Sequence, residues 1–142
     1  MSFDLVTESE IMDWHRSRGG SGTRAAGHAL RILRECVELC VASGASEAEI
    51  KMAVRRECDK AEERKEFTKI PTYNGALEEF VDVKLLMTVY RNYFISTGSL
   101  ENMLRRKLDI CSGREWEADA DGVLWRPGTK AASGAPLEPK SS

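Results

Sequence analysis

The chain has 142 residues, enough for one domain with a real core, and 42% of them are hydrophobic. A formal charge of −2 gives no general electrostatic reason to bind nucleic acid. No apolar run approaches the roughly 20 residues that span a bilayer, and the start, Met1 to Leu5, has neither the basic nor the apolar stretch of a secretion signal. The expectation is a cytoplasmic protein without a membrane or nucleic-acid partner.

Five helices are readable in chain order. Thr7-x-x-Glu10 is a capping box that opens a short helix to about Arg16. Residues 18–23, with Gly19, Gly20 and Gly22, form a loop. It lacks the Gly-Lys-Ser/Thr ending and the preceding strand of a phosphate loop. A second helix spans about Ala25 to Ala42 and stops at Ser43-Gly44. Ser46-x-x-Glu49 caps the third, which is strongly charged and runs to about Glu66. Its alternating charge reads as a solvated face, although it could also cover a neighbouring subunit. Ile70 to Gly75 is a turn. A fourth helix runs to about Ser96, with Gly98 as its stop, and a fifth runs from Ser99 to about Cys111.

The remainder differs in character. Two tryptophans, Trp116 and Trp125, flank Asp121-Gly122, a hairpin-turn signal. Asp119-x-Asp121-Gly122 hints at a calcium loop, but the distal Glu and flanking helices are missing, so it reads as a turn. Residues 129–142 read as a flexible tail, leaving 1–128 as a single domain. The four cysteines show no zinc spacing and are expected to be buried free thiols.

Two acidic doublets carry the chemistry. Glu35 and Glu38 are three residues apart on the second helix, and Glu79 and Asp82 three apart on the fourth. Side chains at i and i+3 share a helix face, so each doublet presents two oxygen ligands together. If the helices pack, four carboxylates converge, and a hard divalent cation such as Mg²⁺ compensates their repulsion. Taken alone, Glu35 and Glu38 look like an ordinary solvated face. The second doublet is sharper. At about 100° per residue, Lys84, Thr88 and Arg91 form a polar stripe. Glu79 and Asp82 fall opposite it, among Leu86, Val89, Tyr90 and Tyr93. The helix dipole accounts for acids in the first turn, but poorly for Asp82.

Glu35-x-x-Glu38 followed by Glu79-x-x-Asp82 resembles the all-α, MazG-like nucleoside triphosphate pyrophosphohydrolases, relatives of the dimeric dUTPases. The resemblance covers about residues 24–116. Two departures stand out: Arg34 occupies a position where the family often has a further Glu, and the gap between doublets is longer than is common. Lys107, Arg114 and Trp116 look like the family's basic cluster after the last core helix, and the Trp116–Trp125 end is similar to a phage-type subgroup that acts on purine dNTPs such as dGTP and dATP. The resemblance implies a helical bundle of about five helices with a short irregular or hairpin end. It also implies cleavage of a (d)NTP, purine dNTPs such as dGTP or dATP foremost, to (d)NMP and pyrophosphate. Glu35, Glu38, Glu79 and Asp82 would hold Mg²⁺, with Mn²⁺ as a substitute, and Glu35 or Glu38 would help to deprotonate water. Lys107 and Arg114 would hold the phosphates, in a homodimer or homotetramer in a cytoplasm (the host's, if phage-encoded).

Other readings stay open. Lys107 and Arg114 could simply favour a helix C-terminus. Trp14, His15 and Asn74 are candidates for contact with the base, Trp14 by stacking, although packing of the first helix onto the core, with His15 at its edge, is the favoured explanation of Trp14. His28 could face the cleft or the surface. Arg105 and Arg106 read as surface residues. The alternative function is a catalytically inactive helical adaptor or nucleotide sensor.

Overall fold

A computed structural model describes residues 5–129; the expected tail from 130 onward lies outside the described residues. The protein is all-α, with one two-stranded sheet near the end. The helices are α1 (Glu8–Ser17), α2 (Ala25–Ala42), α3 (Glu47–Glu63), α4 (Tyr73–Phe94) and α5 (Thr97–Ser112). The strands are β1 (Glu117–Ala118) and β2 (Leu124–Trp125).

Local chemistry fixes most boundaries. Thr7 and Glu10 form the expected capping box at α1, and Ser46 and Glu49 form the one at α3. The reciprocal bonds hold the Glu49 carboxyl below its usual range, through the Ser46 backbone and then its side chain. Gly44, at φ 93°, ends α2. Exposed i,i+3 and i,i+4 ion pairs run along α3, among them Lys51–Glu47 and Arg55–Asp59. Such pairs contribute only a few tenths of a kcal/mol each. The third helix ends at Glu63, earlier than expected, and a 3-10 turn over Glu66–Thr68 follows Lys65, whose φ is 55°.

Two boundaries differ from the sequence reading. Thr72 accepts from the Gly75 N–H and opens α4 inside the expected turn. Its other end is set by Ile95, which takes an extended conformation while donating to the Arg91 carbonyl. Gly98 therefore does not stop α4; it lies in the first turn of α5.

The chain forms two compact units. One joins the residues up to Leu33 with those from Gly98 onward; the other is Arg34–Thr97. In the first, Asp121-Gly122 is the expected hairpin turn, pairing Glu117 with Trp125 and Ala118 with Leu124. Val123, Leu124 and Trp125 are buried there. Asp119 organises the turn, because its carboxylate accepts from the Asp121 and Val123 N–H groups and the Trp125 indole at 2.8–3.0 Å. The hairpin clasps the α1–α2 loop: Ser21 N–H donates to the Gly122 carbonyl, and Thr23 and Arg24 N–H donate to that of Asp121. Gly122 has φ 84°, and a Cβ there would run into Ser21. In Arg34–Thr97 no residue is buried.

Candidate functional site

All four carboxylates of the doublets belong to the unit Arg34–Thr97. Glu35 and Glu38 lie on the unbroken helix α2, and Glu79 and Asp82 on the unbroken α4, so the i,i+3 spacing does place each pair on one helix face. All four residues are exposed. A hydroxyl contact joins the ends of the two helices. The hydroxyl of Ser43, one residue past α2, lies 2.7 Å from the Tyr90 hydroxyl in α4. Glu35 and Asp82 are each eight residues upstream of that contact, about 12 Å along either helix. Among the described residues, no three His, Cys, Asp or Glu side chains are gathered as a metal cage. As a donor set, four carboxylates suit Mg²⁺, which takes hard oxygen ligands and keeps several waters. Asn74 is exposed in the first turn of α4.

The remaining candidates belong to the other unit. Lys107 is exposed within α5, while Arg114, half-buried, follows its end. Trp14 packs edge-on against Trp116 at 5.4 Å, as a helix-packing residue does. Its indole N–H is buried without a hydrogen-bond partner. The His15 ring lies 5.9 Å from that of His28 and fills the space beside Gly20 that a Cβ would need. Burial first, then the charges of His28 and Arg16, push the His15 pKa down. The Nε2 of His28 bonds to the Ser21 carbonyl at 2.7 Å, which ties its ring to the clasp loop.

Sequence reasoning missed several pairings here. Arg105, read as a surface residue, makes a two-pronged bond to Glu10 on α1 at 2.8 and 3.2 Å. That bond leads in holding the Glu10 carboxyl below its usual range. Arg24 pairs with Asp121 at 3.1 Å, and the Arg31 guanidinium sits 4.9 Å from the Trp125 ring centre. Burial acts to raise the Asp119 carboxyl, but the donors Trp125, Val123 and Asp121, with the charge of His28, outweigh it and hold it low. The thiols are free, but Cys40 and Cys58 are exposed and Cys36 and Cys111 half-buried rather than buried. The only sequence signal for any of these pairings was the Asp121-Gly122 turn, which located the hairpin without naming its partner.

No family model, curated protein or solved structure matches the chain.

Proposed function

We propose that the protein is a metal-dependent nucleoside triphosphate pyrophosphohydrolase, with purine dNTPs such as dGTP and dATP as its first candidates. The observation that carries this reading is the pair of i,i+3 carboxylate doublets on two long helices, with all four acids in one compact unit. The bond cleaved comes from the MazG-like resemblance alone.

In this reading Glu35, Glu38, Glu79 and Asp82 hold Mg²⁺, or Mn²⁺ in its place. When bound, the cation supplies neutralisation of phosphate charge and activation of water. Water attacks the α-phosphorus as Glu35 or Glu38 accepts its proton. The bond from the α-phosphorus to the bridging oxygen breaks, and the electron pair leaves with pyrophosphate. Lys107 and Arg114 hold that leaving group, Arg114 as a two-pronged donor and Lys107 as a point charge. Trp14, His15 and Asn74 are candidates for the base.

The test is a screen of the common nucleotides with Mg²⁺ or Mn²⁺ and identification of products. Monophosphate and pyrophosphate are expected, with turnover abolished by chelation. Glu38→Gln and Asp82→Asn should each lower activity by on the order of a hundredfold or more while keeping the helical content. Release of inorganic phosphate and diphosphate would show that the assigned bond is wrong. Normal turnover in both variants would remove the four-acid site. Arg34, standing where the family often has an acid, favours a second reading as a nucleotide sensor. Nucleotide binding without pyrophosphate release would select it.

A further inference from the structure

The chain has two histidines, and the fold brings them together. His15 lies near the end of α1 and His28 in the first turn of α2, within the same compact unit. Their ring centres are 5.9 Å apart, with the planes at 52°. Two imidazoles bound to one metal ion at about 2.0–2.1 Å have ring centres roughly 5–6 Å apart. The pair therefore already stands at the separation that one shared ion would set. Both rings are half-buried, and each is held in place. The His15 ring lies against Gly20, where a Cβ would strike it, and the Gly20 N–H donates to the His15 carbonyl at 2.9 Å. The His28 ring is held by its 2.7 Å bond to the Ser21 carbonyl.

We propose that His15 and His28 form a two-imidazole site for a borderline transition-metal dication, Zn²⁺ foremost, which staples α1 to the start of α2. Imidazole suits Zn²⁺, Cu²⁺ and Ni²⁺ rather than the hard Mg²⁺. A carbonyl can only accept, so His28 Nε2 carries the proton and, in the neutral ring, Nδ1 keeps its lone pair. That is the tautomer of a metal-binding histidine, whose other nitrogen donates to a backbone carbonyl. Among the described residues, the His15 ring nitrogens enter no hydrogen bond. Burial, then the charges of His28 and Arg16, hold the His15 pKa low, so the ring is neutral and ready to ligate near pH 7. The Asp119 carboxylate, whose charge interacts with His28, offsets Arg16 for an incoming cation. Its oxygens already accept from three donors, and Asp121 is paired with Arg24. Among the described residues no third His, Cys, Asp or Glu completes a metal group, so water fills the remaining positions and the ion exchanges. The site is independent of the hydrolase reading, because it uses none of the four carboxylates.

The experiment titrates Zn²⁺ into the full chain under saturating Mg²⁺ and follows the imidazole signals by NMR. The four thiols also offer Zn²⁺ ligands, so the readout is the two rings and not the total metal bound. Both rings should shift together and finish at one equivalent, whereas Mg²⁺ alone should move neither. Protons compete for the same lone pairs, so affinity at the rings should fall at least ~10-fold from pH 7 to pH 5. His15→Gln and, separately, His28→Gln should each weaken Zn²⁺ binding at the remaining ring at least ~10-fold, the second-shell range being a lower bound for loss of a ligand itself. His28→Gln also removes the bond to Ser21, but His15→Gln leaves it in place, and the titration of the unaltered chain needs neither variant. Rings that shift independently, rings that shift only beyond several equivalents, or undiminished binding in both variants would each overturn the proposal.

Discussion

His15 and Trp14 are neighbours in α1 that answer to different tests. The folded state holds the His15 pKa below 6.5, through burial and the nearby charges of His28 and Arg16. The unfolded chain therefore takes up that proton first as pH falls. The sign follows: stability is full above about 6.5 and is lost as pH drops through the folded value. The groups around the ring are His28, Arg16 and, beyond His28, the carboxylate of Asp119. Urea midpoints should fall from pH 7 to pH 5 more steeply in the native protein than in His15→Gln, and a His15 ring that titrates at or above 6.5 by NMR would sink the idea. Trp14 poses a different question, because its buried indole N–H has no partner. A buried unsatisfied donor costs about 1–3 kcal/mol, so Trp14→Phe should be close to neutral for stability, or stabilising. If Trp14 stacks on a nucleobase through its ring, nucleotide affinity should change little in Trp14→Phe and fall in Trp14→Ala. Equal affinity in both variants would leave Trp14 as a packing residue only.

Among the elements, α2 and the hairpin depend on each other across nearly the whole sequence. The Asp121 carbonyl accepts from the Thr23 and Arg24 N–H groups just before α2, and its carboxylate lies over Gly27 in the first turn. A carboxylate at a helix N-terminus is favoured by the helix dipole. Gly122 makes this docking possible twice over, by its positive φ and by its lack of a Cβ against Ser21. Gly19 separates the two effects, since it has φ 88° but open space around it. Gly19→Ala should cost about 1 kcal/mol. Gly122→Ala should cost distinctly more, in the ~2–3 kcal/mol range of a local clash added to backbone strain. Equal urea midpoints for the two variants would show that the clasp is not tight. The sequence revealed the elements well where signals were local. The Thr7 and Ser46 capping boxes, Ser43-Gly44 and Asp121-Gly122 each mark a boundary through residues within four positions of one another. It misled at Gly98, because a glycine can open a helix as well as end one, and at Ile70–Gly75, where Thr72 supplies an N-cap. It was silent on Glu10–Arg105 and Arg24–Asp121, since nothing in either segment names a partner more than ninety residues away.

For the whole molecule, the buried residues are unevenly shared. Among the described residues, Gly20, Gly27, Gly122, Val123, Leu124 and Trp125 are buried, and all belong to the unit that joins Met1–Leu33 with the residues from Gly98 onward. The unit that carries the four carboxylates has none. Sequence spacing could place the carboxylates on helix faces, because a face is a local property. Their convergence depends on packing between helices, which spacing does not specify. Thermal melting with and without Mg²⁺ addresses that directly. A ligand that binds only the folded state raises its stability by mass action. Saturating Mg²⁺ should therefore raise the melting temperature of the native protein at fixed protein concentration. Without metal, Asp82→Asn removes one like charge from the proposed four-acid site and should melt no lower than the native protein. With metal, the same variant should forfeit part of the gain, because it has lost a ligand. Lys84→Ala, on the opposite side of α4, should keep the full metal response. If Mg²⁺ shifts the native protein and Asp82→Asn equally, Asp82 is not a ligand and the two doublets do not form one site.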